Sequence, residues 1–259
     1  AAVAVWNDGK LTLYTGTQNP FGVRQNLAKM FKIPEENVHI IVPDFGGGFG
    51  GKATSGIYAE TAEIAKEVGR PVKCIWTREE EFTQMTHRGA GVIKIIAGAK
   101  KDGTITAWDY TAINQDSRGA SFPYKCRNIS IGAVSSRGVL RVGAWRGVCG
   151  PVNNFAKECA INELAFAVGI DPAKFRIQNL QRPIAKKVLE AALEKFGWKE
   201  INSPSRQGFG VAIGDDVGSD VAECVKISAD SKGMVKVERV VAAVHCGYVI
   251  NPDGIALQT

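Results

Sequence analysis

Asp44-Phe45-Gly46-Gly47-Gly48-Phe49-Gly50-Gly51-Lys52 is the stretch on which the reading of this chain turns. Five glycines enclose one phenylalanine, and a lysine closes the run. Backbone without Cβ atoms can approach a ligand closely and adopt positive φ freely. Successive amides in such a run form a concave donor nest for an anion, which suits a phosphate, an oxo group or a carboxylate. A linker would use Ser and other polar residues, whereas an aromatic set between glycines reads as a wall. A packed turn without a ligand is the plain alternative. A third reading is a nucleotide-binding P-loop, since Gly46 and Gly51-Lys52 fit GxxxxGK. The next residue, however, is Ala53, where that motif needs Ser or Thr to ligate magnesium.

Outward from this loop the composition is that of an ordinary globular chain. Of 259 residues, 45% are hydrophobic and 22% charged, which rules out disorder, collagen and coiled coil and leaves room for one large domain or two small ones. No stretch reaches the roughly 18–20 apolar residues that span a bilayer, and no signal-type segment opens the chain. Lys and Arg total 32 against 26 Asp and Glu, a formal charge of +6. The basic residues are scattered, without an arginine stripe or interleaved aromatics, so no nucleic-acid partner is expected. Cysteines 74, 126, 149, 159, 224 and 246 show no CxxC spacing, so no zinc ribbon, redox motif or iron–sulfur cluster is expected in this chain. They read as reduced thiols, leaning to a cytoplasmic over a periplasmic setting with the compartment left open. Cys149 and Cys246 read as small buried hydrophobes and His245 as a core or sheet-edge residue. Three separated histidines argue against a histidine-built metal site.

Periodicity organises the rest. Ala1–Trp6, the turn Asn7-Asp8-Gly9 and Lys10–Thr15 form a hairpin. Phe21–Phe31 has helical spacing, Val38–Val42 is a short strand, and Ile57–Val68 is a helix closed by Gly69. Val72–Trp76 is a strand, and Val92–Ala99 and Thr104–Ile113 form a second hairpin about Lys101-Asp102-Gly103. Asn114–Ser136 is irregular. Helices follow at Asn153–Val168, from Pro172, and at Val188–Phe196. Gly208–Ile213, Val221–Ala229 and Met234–His245 read as strands of a mostly antiparallel sheet. Hairpins with segregated helices argue an α+β fold. The polar stretch Asn202–Gln207 sets the boundary between a first region, 1–201, and a strand-rich second region, 202–259. Because the chain begins inside a hairpin and stops without a cap, a piece of a longer polypeptide is expected.

Collinear motifs carry a resemblance over nearly all of the chain. They begin with Thr17-Gln18-Asn19-Pro20, then GGGFGGK with Phe49 31 residues after Gln18 (49 − 18). Arg70-Pro71-Val72-Lys73 leads to Thr77-Arg78-Glu79-Glu80. Gly143-Ala144-Trp145-Arg146-Gly147 and Gly150-Pro151 precede a helix with Glu158 and Asn162-Glu163-Leu164-Ala165, then Asp171-Pro172 and Phe175-Arg176. Cys246-Gly247, Ile250-Asn251-Pro252 and Gln258 close the set. The chain resembles the molybdenum-binding large subunit of the xanthine dehydrogenase/aldehyde oxidase superfamily. Within it, GAWR, Gly197-Trp198 and the short passage through Gly208-Phe209-Gly210 look most like the isoquinoline 1-oxidoreductase β-subunit type.

The resemblance implies a molybdopterin-binding domain and oxidative hydroxylation of an N-heteroaromatic ring or an aldehyde, with water as oxygen source. The implied cofactor is molybdenum with molybdopterin, in its cytosine dinucleotide form, and the implied partner is a small subunit with [2Fe-2S] clusters that receives the electrons. The protein supplies position and electrostatics rather than a metal ligand. Gln18 matches the glutamine that donates to a molybdenum oxo ligand, since a carboxamide NH₂ donates without adding charge. Gly47, Gly48, Phe49 and Gly50 match the loop beside the pterin, with Phe49 walling the substrate pocket. Ala144, Trp145 and Arg146 match a second loop, Trp145 also facing substrate, although Arg146 equally reads as a fork on carbonyls. Gln258 resembles a further pterin contact.

Three departures bear on substrate and activity. Ala53 stands where purine-oxidising relatives carry a ring-recognising glutamate, which disfavours xanthine. Their substrate arginine falls near Gly119, making Arg118 beside it a candidate. The family's general base, a glutamate in a GxGE context, is absent from these 259 residues, and Glu158 and Glu163 do not replace it by motif. No catalytic residue is therefore expected within the chain, which alone is expected to be inactive. A structural or interaction domain that has lost the chemistry is the competing reading from another class.

Overall fold

The computed structural model describes residues 1–54, 56–114, 118–135, 140–199 and 207–259. It divides into two compact units, Ala1–Gly89 with Arg137–Val148, and Ala90–Ser136 with Cys149–Thr259. The boundary expected at 201/202 lies outside the described residues.

The first unit is built on strands β1 (Ala2–Asn7) and β2 (Lys10–Thr15), which form the expected hairpin with Asn7 opposite Lys10. Asp8 and Gly9 both take positive φ, 48° and 75°, the combination a two-residue turn needs to match strand twist. Helix α1 (Pro20–Phe31) is capped by Asn19 and ended by Lys32 in the left-handed conformation. Strand β3 (Val38–Ile41) follows, then the short helix α2 (Gly51–Thr54), helix α3 (Ile57–Val68) ended by Gly69, strand β4 (Val72–Cys74) and helix α4 (Arg78–Gln84). The sheet order is β3-β2-β1-β4, with β3 parallel to β2 and the other pairs antiparallel. Alternation along the hairpin sends Ala2, Ala4, Leu11 and Leu13 inward against Val23 and Leu27 of α1 and Ile57, Ala62 and Ala65 of α3. The strand expected to reach Trp76 stops at Cys74. Helix α4 buries no residue, so it leaves no apolar period to read; its one signal is the Thr77-x-x-Glu80 capping box.

The second unit contains strands β5 (Val92–Ala99), β6 (Ile105–Ile113) and β7 (Asn128–Val134) in the order β5-β6-β7. Helices α5 (Gly150–Val168), α6 (Pro172–Asn179) and α7 (Pro183–Phe196) come next. A wholly antiparallel sheet of β8 (Gln207–Asp216), β9 (Ser219–Ala229) and β10 (Val235–His245) and a short helix α8 (Pro252–Ala256) complete it. Trp108, Tyr110, Ile161, Phe175, Leu189, Val211 and Ala222 share one core. The mixture of sheets and packed helices bears out the α+β expectation. The irregular reading of Asn114–Ser136 is corrected by β7, which pairs parallel to β6. Every β7 residue is exposed, so neither period-2 burial nor a hairpin turn announces it. Helices α5 and α7 start earlier than expected, each with proline in its first turn, where the missing N–H costs nothing. Among the described residues no helix is long and apolar enough to cross a membrane.

Candidate functional site

Between β2 and α1 the chain turns through Gly16-Thr17-Gln18-Asn19. Asn19 Oδ1 accepts from Gly22 N at 3.1 Å, and Thr17 Oγ1 accepts from Asn19 N at 3.1 Å. The turn so fixed lets Gln18 N donate to Lys52 O at 3.0 Å, tying it to the end of the glycine run. The Gln18 side chain is exposed and makes no hydrogen bond among the described residues.

The glycine run meets a second loop, backbone against backbone. Gly50 has φ +102°, and a Cβ there would lie 2.2 Å from Ala144 O and 2.7 Å from Trp145 N. Only glycine allows this approach. Gly51 N donates to Gly48 O at 2.8 Å and Ala53 N to Gly50 O at 3.0 Å, closing the turn into α2. The amides of Gly47, Gly48 and Phe49 meet no acceptor among the described residues. Phe49 takes φ +48° and presents its ring with 64% exposure, the Arg146 guanidinium 5.4 Å from its centroid. Lys52 folds back: Nζ donates to Gly46 O at 3.0 Å and stands 4.4 Å from the Phe45 ring centroid. A P-loop lysine must instead reach a phosphate, and α2 is only four residues long, so the geometry argues against that reading.

The second loop is strained and held. Gly147 and Val148 both have positive φ, 79° and 51°, and for a β-branched residue this costs on the order of 1–3 kcal/mol. Val148 N donates to Trp145 O at 2.7 Å. His87 N donates to Arg141 O at 2.8 Å, and Gly143 N to His87 O at 3.2 Å. Arg88 donates from Nη1 to Val148 O and from Nη2 to Arg146 O. Met85 packs against Gly51, where a Cβ would come within 2.6 Å of its methyl, and Thr86 against Gly143 at 2.4 Å. Segment Met85–Arg88 therefore touches both loops. Sequence reasoning named none of its residues; the α4 capping box points only to the helix that precedes it. The hydrogen bonds between Thr77 and Glu80 in that box hold the Glu80 carboxyl below its usual range.

A cleft of about 890 Å³ opens beside these loops. Phe45, Phe49, Trp76, Phe82, Met85 and Trp145 give it aromatic and apolar walls, and among the described residues Lys52, Lys73, Arg78 and Arg146 line it against one carboxylate, Glu81. Gln18, Gly47, Gly48, Phe49, Gly50, Ala53, Ala144, Trp145 and Arg146 all belong to this unit.

Arg118 and Gln258 belong to the second unit. Arg118 pairs with Asp216, Nε to Oδ1 at 3.2 Å and Nη2 to Oδ2 at 2.9 Å. Its carbonyl accepts from Asn153 Nδ2 at 2.8 Å, and Lys157 Nζ donates to Gly119 O at 3.3 Å and Ser121 O at 2.9 Å. Burial pushes the Lys157 ammonium below its usual pKa. Glu158 is filled by Tyr124 Oη at 2.8 Å, Arg176 Nε at 2.8 Å and Ile213 N at 3.0 Å. Burial, reinforced by Glu158, pushes the Tyr124 hydroxyl well above its usual pKa. Gln258 is exposed just beyond α8, its N donating to Ile255 O at 3.0 Å, in a shallow hollow with Cys246 and Glu223. Cys246 is exposed and Cys149 half-buried, correcting the reading of both as buried; each stands just outside a regular element. His245 ends β10 with Nδ1 buried.

Bare amides, an exposed carboxamide and an aromatic wall beside a cationic cleft are the features that a pocket for a flat, anionic, oxygen-rich group would need. Residues 1–180 match the family described as the molybdopterin cofactor-binding domain, and the chain belongs to that family. It is 34% identical over 251 residues to the aldehyde oxidoreductase molybdenum-binding subunit PaoC of Escherichia coli, a match covering 83% of this chain and 34% of that protein. It is 26% identical over 276 residues to isoquinoline 1-oxidoreductase subunit beta of Brevundimonas diminuta, covering 97% of this chain and 35% of that one. Among solved structures, the aldehyde oxidoreductase of Desulfovibrio gigas is 25% identical with a TM-score of 0.67, covering 91% of this chain and 30% of that one. The chain thus spans about a third of the length of these relatives. The resemblance to molybdenum-binding subunits of the xanthine dehydrogenase/aldehyde oxidase superfamily, the isoquinoline 1-oxidoreductase β-subunit included, is borne out.

Proposed function

We propose that the chain forms part of a molybdenum hydroxylase large subunit that oxidises an N-heteroaromatic ring or an aldehyde, passing electrons to a small [2Fe-2S] partner subunit. The observation that carries this is the meeting of three separate segments in one place. Gly50 rests on the Ala144–Trp145 peptide, and Gln18 N bonds Lys52 O. The residues fit the cofactor: the amides of Gly47, Gly48 and Phe49 meet no acceptor among the described residues, and Gly50 lets the two loops meet backbone to backbone, since a Cβ there would lie 2.2 Å from Ala144 O. When bound, the molybdenum pterin supplies two-electron oxidation.

The chain's own groups then hold and orient. The Gln18 carboxamide donates to an oxygen without adding charge. The Gly47, Gly48 and Phe49 amides form a donor nest, and Ala144, Trp145 and Arg146 present the facing loop. Phe49 and Trp145 wall a flat substrate, while Ala53 offers a methyl group where a purine edge would need a carboxylate. Gln258 serves as a pterin contact, in the cytosine dinucleotide form of the cofactor. Arg118 would have to exchange Asp216 for a substrate anion to act on substrate. The test is to purify the protein with its partner subunits and measure molybdenum, the released nucleotide and incorporation of oxygen from heavy-oxygen water. Near-stoichiometric metal with labelled product supports the reading; a protein without molybdenum favours a domain that has lost the chemistry. The 259 residues contain no Gly-x-Gly-Glu sequence, so expressed alone they are expected to turn over nothing. Turnover by that chain would place the base elsewhere.

A further inference from the structure

We infer that Arg88 is a positioning residue for the second loop, fixing its peptide groups for the cofactor through a fork on two of its carbonyls. The inference rests on the cofactor reading above. Three independent observations converge on it.

First, the Arg88 guanidinium donates to Arg146 O and Val148 O, two carbonyls of one tight turn. A planar fork matches this pair of acceptors, and an ammonium, being a single point, does not. Second, the turn holds a conformation it would not keep unaided. Val148 is β-branched at φ +51°, and such residues persist only where the surroundings over-determine them. Third, the chain around Arg88 is already locked to both loops. His87 pairs with Arg141 and Gly143, Thr86 packs on Gly143, and Met85 packs on Gly51. Arg88 is thus carried on a segment with little freedom, so its fork transmits a fixed position rather than following the loop. The side chain serves the site through backbone it holds.

A comparison residue of the same chemistry lies in the other unit. Arg239 donates from Nη1 to Phe196 O at 3.1 Å and from Nη2 to Lys195 O at 2.8 Å. It too forks onto two carbonyls, at the end of α7, and a merely structural loss should look alike in both.

The experiment compares the whole protein, purified with its partners, with its Arg88→Lys, Arg88→Gln and Arg239→Lys variants. Four quantities are read: molybdenum per chain, the Mo(V) paramagnetic spectrum, the KM against kcat split, and hydrogen exchange of peptides covering 144–148. The Arg88 variants are expected to keep at least half the metal. Their kcat should fall tenfold or more with KM within threefold, the Mo(V) spectrum should change, and exchange at 144–148 should rise at least tenfold. Arg88→Lys should rescue little of this, because it keeps the charge and loses the fork. Arg239→Lys should leave the spectrum and the 144–148 exchange as in the parent. A parent-like spectrum and parent-like exchange in the Arg88 variants overturn the inference, as does an equal effect from Arg239→Lys. A parent protein without molybdenum overturns the cofactor reading instead, and exchange at 144–148 still decides whether Arg88 holds the loop.

Discussion

Gly50 is the residue at which the site admits no substitution, and Gly46 is its natural control. A Cβ at Gly50 would strike the Ala144 carbonyl, and the backbone there lies at φ +102°. A Cβ at Gly46 meets nothing within 4 Å. Gly50→Ala is therefore expected to lower the thermal midpoint by several degrees and to strip most of the molybdenum, from strain of about 1–3 kcal/mol plus the clash. Gly46→Ala should do neither, and equal behaviour of the two variants would count against the loop contact. In the second unit the corresponding residue is Glu158. Its carboxylate answers the fully buried Arg176 guanidinium, which also donates to Asn162 Oδ1 at 2.8 Å. Glu158→Gln leaves that cation without its counter-charge and is expected to cost about 3–5 kcal/mol in a chemical denaturation series. A loss below about 1 kcal/mol would show that the neutral amide suffices.

At the scale of elements, the site is delivered by one weak helix and two strong ones. Helices α1 and α3 bury apolar faces against the β1–β2 hairpin, so their position follows from packing. Helix α4 buries nothing and depends on its capping box, in which Thr77 Oγ1 accepts from Glu80 N at 3.2 Å and Glu80 Oε2 from Thr77 N at 2.6 Å. Thr77→Ala should destabilise that helix by about 1 kcal/mol. Hydrogen exchange across 78–84 should then rise severalfold while α1 and α3 keep their protection. Unchanged exchange in α4 would mean that its junction with Met85–Arg88, not its cap, holds it. Because α4 leads directly into Met85–Arg88, the cap bears on the loops through the segment they share.

At the scale of the whole molecule, burial of weak acids predicts how stability depends on pH. Burial raises the Tyr110 hydroxyl from 10.0 to about 12 and the Cys224 thiol from 9.0 to about 11, and Tyr124 moves the same way. Between the unfolded and folded values the folded chain holds more protons, so the stabilisation is complete below the unfolded value and drains away as pH rises. Lys157, shifted down by burial, acts in the opposite sense just below its ordinary range. Burial raises the Cys159 thiol as well, so with four groups against one the thermal midpoint is expected to fall steadily from about pH 9 to pH 12. Tyr110→Phe should flatten the upper part of that fall. A midpoint constant over this range would contradict the burial of these groups.

How much of this was legible in the linear chain depended on how locally each feature is encoded. The β1–β2 hairpin, α1, α3 and the closing sheet are written in alternation, caps and turn residues a few positions apart, and they stand where those signals put them. The glycine run, Gln18 and the GAWR loop were legible as motifs because each is short and chemically unusual. What linear order could not convey was contact between distant segments. Strand β7 exists because β6 offers its edge, not because its own exposed residues alternate. Lys52 spends its charge on Gly46 O, a choice no motif contains. The meeting of Gly50 with Ala144, and the grip of Arg88 on a turn nearly sixty residues away, are decided only when the folded core brings the segments together. Propensity acts over a few residues and packing over the whole unit; the motifs belong to the first and their convergence to the second.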